Sequence, residues 1–394
     1  MALSETDERI AHVRTAFAAL YSGEPVLWAQ APGRVDLMGS HTDYNEGYVL
    51  TMPIDRTTWI AARPRDDRQV AVHSLNIEGG ETFSLDGDIQ RSTAVPWTDY
   101  VRGVAKVLQD EGYALRGFDG LVHSTVPFGS GLSSSAALEV ATATLFNELS
   151  GLGLDPVRLA VLCQRAENTF VGVNCGILDQ YTSAAGRAGH VLLLDCRHLA
   201  HTVAPIHPDI RIVICDTRYK RALTGSEYPQ RRAQCEAGAA TLAPRYPGVR
   251  TLRDVTLEQL DAAREALDET VYRRSRFIVQ ENQRVLDLAA ALPEKGAAAL
   301  AALTAESFAG ARDLYEIVVP QMEAMLTAIH GAPGVLGARQ AGAGFGGCLV
   351  AFVERDCVGD FGAHVCAAYR EATGIESAVY AVEAAPGAGL LAVE

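Results

Sequence analysis

The sequence has no apolar run approaching the roughly 18 residues needed to cross a bilayer. Its opening, MALSETDERI, lacks the basic-then-apolar pattern of a secretory signal. A cytoplasmic protein is therefore the expectation. Basic residues are in the minority: 34 Lys and Arg against 48 Asp and Glu give a formal charge of −14. That balance argues against broad affinity for nucleic acid or an anionic membrane and leaves room only for a local basic pocket. The cysteines at 163, 175, 196, 215, 235, 348, 357 and 366 form no C-x-x-C pair and no zinc-site spacing, so reduced and mostly buried thiols are expected. Repeats and low-complexity segments are missing too. What remains, 394 residues with 48% hydrophobic and 21% charged content, is a globular chain long enough for two domains.

The most concentrated signal is residues 126–139, VPFGSGLSSSAALE. It is neither a Walker A loop, since no Gly-Lys-Ser/Thr follows, nor a dinucleotide fingerprint, since Ser134 stands where a third glycine belongs. An apolar strand-like run precedes it, and helix formers from Ala136 to Leu149 follow. Gly129 and Gly131 let the backbone approach a ligand, and Ser133, Ser134 and Ser135 sit at a helix start, where free N–H groups and the helix dipole favour an anion such as phosphate. An ordinary serine-capped helix after a flexible turn has the same composition, and the loop alone leaves both readings open.

In chain order, Ile10, Val13, Phe17 and Leu20 give an amphipathic helix over about Glu5 to Leu20. Residues 26–50 then set Arg34, His41, Asp36, Asp43 and three glycines between two strand-like runs, a polar density that suits a site and equally a turn. Strands are expected at Thr58 to Ala62 and Val70 to Ser74, and a helix from about Thr98 to Gln109 with Trp97 just before it. A helix from Pro156 to Val171 precedes a loop containing Asp179, which returns to a strand at Val191 to Leu194. The irregular stretch Arg197 to Asp209 marks a domain boundary, giving domains 1–205 and 206–394. A strand Ile210 to Cys215 opens the second half. Leu257 to Leu303 is helical, with Arg273, Arg274 and Glu281 expected on a solvated face. Residues 334–353 read as a glycine hairpin feeding a buried strand.

Five ordered motifs connect these segments: GRVDLMGSHTDYN, GLSSSA, CGILDQ, SEYPQRR and GAGFGGC. Together they resemble the galactokinase family of the sugar, homoserine, mevalonate and phosphomevalonate kinase superfamily, whose corresponding motifs read GRVNLIGEHTDYN, GLSSSA, CGIMDQ, SEYN-x-RR and GAGFGGC. The likeness spans nearly the whole chain. It implies an α+β fold of two domains, the first like the second domain of ribosomal protein S5 and the second ferredoxin-like, with the site in the cleft between them. It implies an ATP-dependent transfer of phosphate to the anomeric hydroxyl of a galactose-type sugar. Arg34 and Asp179 match the catalytic pair, and Ser40, His41, Asp43, Gly176 and Tyr228 match the sugar side. Gly129, Ser130, Gly131, Leu132, Ser133, Ser134, Ser135 and Trp97 match the ATP side. Ser134 or Ser135, with Glu167, resembles the Mg²⁺ ligand set. The implied partner is a small sugar, with neither nucleic acid nor membrane, and the oligomeric state is left open, a monomer included.

The departures fall in the first motif, where Asp36 replaces the usual Asn and Ser40 the usual Glu. In galactokinases that Glu contacts the exocyclic hydroxymethyl of the sugar, and losing a hydrogen bond to a charged group is worth ~1.5–3 kcal/mol, roughly ten- to 150-fold in binding. L-Arabinopyranose is galactose without that hydroxymethyl, and the stretch also resembles plant arabinokinases in its Asp, Met and Met-Pro-Ile. An L-arabinokinase is therefore the alternative, and a non-catalytic galactose and ATP sensor a remote one. Phe277 and Phe308 stand where histidines are common, the mark of a divergent branch.

Overall fold

The opening helix α1 (Glu5–Tyr21) is fixed by a reciprocal cap: Ser4 Oγ accepts from Asp7 N at 3.1 Å while Ser4 N donates to Asp7 Oδ2 at 3.2 Å. A computed structural model describes residues 4–219 and 227–393, so Ser226 of the SEYPQRR motif lies outside the described residues. After α1 come β1 (Leu27–Met38), β2 (Tyr48–Arg65), β3 (Gln69–Ser74), β4 (Gly80–Ser84), α2 (Asp99–Asp110), β5 (Gly117–Ser124), α3 (Ser134–Leu149), α4 (Pro156–Ala166), α5 (Leu178–Ala185), β6 (His190–Asp195) and β7 (Ala200–Pro205). The second half runs β8 (Ile210–Asp216), α6 (Glu227–Leu242), α7 (Leu257–Ala262), α8 (Glu269–Ala291), α9 (Ala297–Asp313), α10 (Pro320–His330), β9 (Val335–Gln340), β10 (Cys348–Glu354), α11 (Val358–Thr373), β11 (Ala378–Val382) and β12 (Gly389–Leu390).

Two sheets result. The larger has the order β12-β1-β2-β5-β3-β4, with β6 pairing β2 and β7 pairing β6. The smaller has the order β11-β8-β10-β9, all antiparallel. The β10 run CLVAFV is buried on both faces, as a central strand with helices against it should be. One core cluster takes Val35 and Leu50 from the first sheet and Ile212 and Val350 from the second, so the two halves are packed together. The C-terminal β12 returns to pair with β1, Ala29 opposite Leu390. No helix of the described residues is long and apolar enough to cross a membrane. The described cysteines are all free, and Cys163, Cys196, Cys215, Cys235 and Cys348 are buried.

Four expectations need correction. Asp179 sits in the first turn of α5, not in a loop; the helix starts after Ile177, which offers no capping side chain, so nothing local announced it. The helix expected over Pro156 to Val171 changes at Glu167 into a five-residue π turn, Glu167–Val171. Arg197 to Asp209 is not wholly irregular, because Ala200–Pro205 forms β7 against β6. Arg274 and Glu281 are buried, not solvated, because each has an ionic partner distant in sequence, Glu316 for Arg274 and Arg339 for Glu281, the latter joined by Arg284 one helical turn on.

Candidate active site

The segment after β1 turns sharply because Gly39 and His41 both take positive φ, 101° and 68°. This turn, the 129–135 loop, the segment 172–179 and the start of α6 enclose a cavity of about 620 Å³. Arg34, Ser40, His41, Asp43, Gly129, Gly131, Ser133, Ser134, Ser135, Glu167, Gly176, Asp179 and Tyr228 all line it. Of the expected site residues, Ser130, Leu132 and Trp97 do not. Ser130 Oγ is turned onto Pro127 O at 2.9 Å, and Leu132 is a core side chain whose carbonyl accepts from Arg34 N. Trp97 precedes α2 and packs against the core, while Tyr100, in the first turn of α2, reaches the cavity in its place.

Asp179 lies at the centre. Arg34 donates to its Oδ1 through Nε at 2.8 Å and Nη2 at 2.5 Å, and Ser133 donates to its Oδ2 at 2.6 Å. Arg34 also donates to Gly131 O at 2.6 Å, which ties the carboxylate to the glycine loop. Ser133 precedes α3 in a left-handed conformation, φ 61°, and makes no side-chain cap. The start of α3 thus has no side-chain cap among the described residues, and its first residues Ser134 and Ser135 line the cavity, an arrangement suited to an anion.

Asp43 accepts from Tyr44 N at 2.9 Å and Leu178 N at 3.4 Å. Burial, reinforced by the Asp179 charge, raises its pKa to about 6. A Cβ at Gly176 would come within 1.8 Å of Asp43 Oδ2, so only glycine lets that carboxylate lie flat against the 175–178 segment. Both ring nitrogens of His41 are engaged: Nε2 donates to Ala343 O at 3.0 Å, so Nδ1 accepts from Tyr44 OH at 2.8 Å. The phenol oxygen of Tyr44 then accepts from Tyr315 OH at 2.7 Å. His41 therefore offers its ring face, beside Tyr228 at 5.2 Å, and shapes the wall.

Under the loop, Gln180 Nε2 donates to Glu139 Oε2 at 2.9 Å and Glu167 Oε2 at 2.6 Å. Burial pushes both glutamates above the ordinary carboxylate range, helped at Glu139 by the Glu167 and Asp179 charges and at Glu167 by the Asp179 charge. Glu139 Oε1 and Gln180 Oε1 are buried without a hydrogen-bond partner among the described residues. Ser135 is near enough to Glu167 to favour its charged form, which distinguishes it from Ser134 as the hydroxyl beside this carboxylate. Among the described residues no three His, Cys, Asp or Glu groups are placed to hold a metal by themselves. One carboxylate and one hydroxyl beside a phosphate site do suit Mg²⁺, which takes few protein oxygens and completes its shell with phosphate and water.

The N-terminal domain model of the GHMP kinases matches residues 99–187, and the galactokinase galactose-binding signature matches residues 15–64. A galactokinase of Roseiflexus sp. (strain RS-1) is 45% identical over 377 residues, 96% of either chain. The chain belongs to the galactokinase family. A second galactokinase, from Chloroflexus aggregans (strain MD-66 / DSM 9485), is 43% identical over 362 residues, 92% of this chain and 93% of that one. The crystal structure of Lactococcus lactis galactokinase complexed with galactose superposes with a TM-score of 0.93 at 33% identity, covering 97% of this chain and 100% of that one. The Methanococcus jannaschii mevalonate kinase shares the fold at a TM-score of 0.62 and 16% identity, over 92% of this chain and 99% of that one.

In this galactokinase-family chain, sequence reasoning passed over Asp36, Tyr100, Glu139, Gln180 and Arg339 as parts of the site. Gln180 stood next to Asp179 in the CGILDQ motif, and Glu139 closed the loop segment, so both were within reach. Arg339, three residues before the GAGFGGC motif begins, carried no local signal.

Proposed function

We propose that the chain transfers the γ-phosphoryl group of ATP to the anomeric hydroxyl of galactose, giving galactose 1-phosphate and ADP. One observation carries the reading: a carboxylate, Asp179, is bonded on one side to Arg34 and on the other to the serine that opens the phosphate-loop helix. Phosphoryl transfer has a loose transition state, so catalysis is mostly positioning and charge neutralisation. Asp179 accepts the proton of the attacking hydroxyl as the bond to phosphorus forms late. Arg34 orients Asp179 and offsets charge between the two substrates. The glycine loop and the α3 N-terminus receive the ATP phosphates, and Glu167 with Ser135 would hold Mg²⁺, which supplies charge neutralisation on those phosphates. Asp43 and Gly176 receive the sugar beside the His41 and Tyr228 rings. Residues 1–205 and 206–394 form the two domains of this proposal, and the reduced cysteines support a cytoplasmic setting.

The second reading, L-arabinose, is favoured by Ser40 alone, whose short neutral side chain lines the cavity. An ADP-release assay across galactose, L-arabinose, N-acetylgalactosamine, glucuronate and mevalonate separates them. Turnover of galactose supports the proposal, preference for L-arabinose supports the second, and no ADP from any substrate leaves a sugar and ATP sensor.

A further inference from the structure

Behind Ser40 lies a cluster of charge that no motif announces. Arg339, the penultimate residue of β9, is fully buried. Its Nε donates to Ser307 Oγ at 2.9 Å, its Nη2 donates to Ser40 Oγ and Glu281 Oε1, both at 3.0 Å, and its Nη1 lies 3.5 Å from Asp36 Oδ2. Glu281 is also held by Arg284 at 2.9 Å and by Gly39 N at 3.2 Å. Two guanidinium groups thus face two carboxylates, Asp36 and Glu281, while the neighbouring Arg34 is paired with Asp179. Such a group is tolerated in a dry interior only while its charges balance.

Of the balanced group, Asp36 and Ser40 line the cavity and Arg339 does not. Asp36 can only accept, so Ser40 spends its single proton on Asp36 Oδ2. One lone pair of Ser40 is taken by Arg339. Asp36 Oδ1 is taken by Gly342 N at 2.5 Å. Toward the cavity this wall therefore presents one uncharged acceptor and a carboxylate already engaged at both oxygens.

We infer that Asp36, Ser40 and Arg339 act as one specificity-determining unit, in which the carboxylate neutralising Arg339 stands at position 36 and so leaves position 40 to a short neutral side chain. Such a wall accepts a hydroxyl without requiring one, so a pentopyranose enters nearly as well as the hexose, and it repels a hexuronate. This rests on the galactokinase reading, because an anomeric hydroxyl at Asp179 directs the far end of the ring toward Ser40.

The unit makes its two cavity residues interdependent. Ser40→Glu alone sets a third carboxylate against two guanidiniums, and Asp36→Asn alone leaves two guanidiniums sharing the single carboxylate of Glu281; together they restore the balance with the carboxylate moved to position 40. The test measures the melting midpoint and kcat/KM for galactose, L-arabinose and galacturonate in the parent, both single variants and the double. Each single variant is expected to lose about 5 °C or more, or to yield no soluble protein, while the double regains most of that loss. The double should also shift the galactose to L-arabinose ratio at least about tenfold toward galactose. Additive losses, a double variant no more stable than the single ones, or an unchanged ratio overturns the inference. A parent inactive on both sugars would instead refute the functional reading on which it rests.

Discussion

Asp43 illustrates what it costs to gather carboxylates in one cavity. Burial and the Asp179 charge raise its pKa to about 6, well above that of an unfolded aspartate. The folded state therefore holds this proton more tightly than the unfolded one. The stability it contributes is full at low pH and is lost as pH rises from about 4 through about 6. In Asp43→Asn that penalty is gone, so the stability difference between variant and parent should move in the variant's favour by up to about 3 kcal/mol between pH 4 and pH 7.5. Calorimetry at both values checks this, and a constant difference contradicts it. Gly176→Ala acts on the same carboxylate from outside. The added methyl, within 1.8 Å of Asp43 Oδ2, displaces it, so the sugar KM should rise about tenfold or more with little change in the ATP KM. Arg34 and Asp43 were legible because each sits in a dense polar run, and Asp179 through the resemblance of its CGILDQ motif. Arg274, Glu281 and Arg339 were not, because a buried charge is identified by its partner. Here that partner lies tens to hundreds of residues away, as Asp36 does from Arg339.

The two glycine loops work as one element pair. Gly347, at φ +80°, closes on the phosphate loop so tightly that a Cβ would stand 2.8 Å from Ser130 O. Gly347→Ala should push the 129–131 turn outward and raise the ATP KM about tenfold or more, while sugar affinity, set on the far side of Asp179, changes little. Steady-state kinetics with each substrate varied would check it, and an effect on the sugar KM alone would contradict it. At this scale α1, α2, α3 and β10 could be read ahead, since apolar spacing, helix formers and a continuous apolar run declare them. The α5 start and the π turn at Glu167 could not. Neither has a local end signal, and both are fixed by what the side chains meet: Asp179 by Arg34, and Glu167 by Gln180 and Cys175.

In the proposed reading the reaction takes place where two sheets share a core. The first half contributes Arg34, Asp43, the phosphate loop and Asp179, and the second contributes Tyr228, Ala343 and the Arg339 that steadies Ser40. Arg339 apart, that division of labour followed from five ordered motifs, whereas the return of β12 onto β1, two residues long, had no sequence signal. The account stands or falls on Asp179 as the group that takes the proton. Single-turnover quench of Asp179→Asn with saturating ATP and galactose tests it most directly. A chemical step slowed by about a hundredfold or more, with ATP binding unchanged, is the result predicted. A step within about threefold of the parent would contradict it and remove Asp179 from the mechanism.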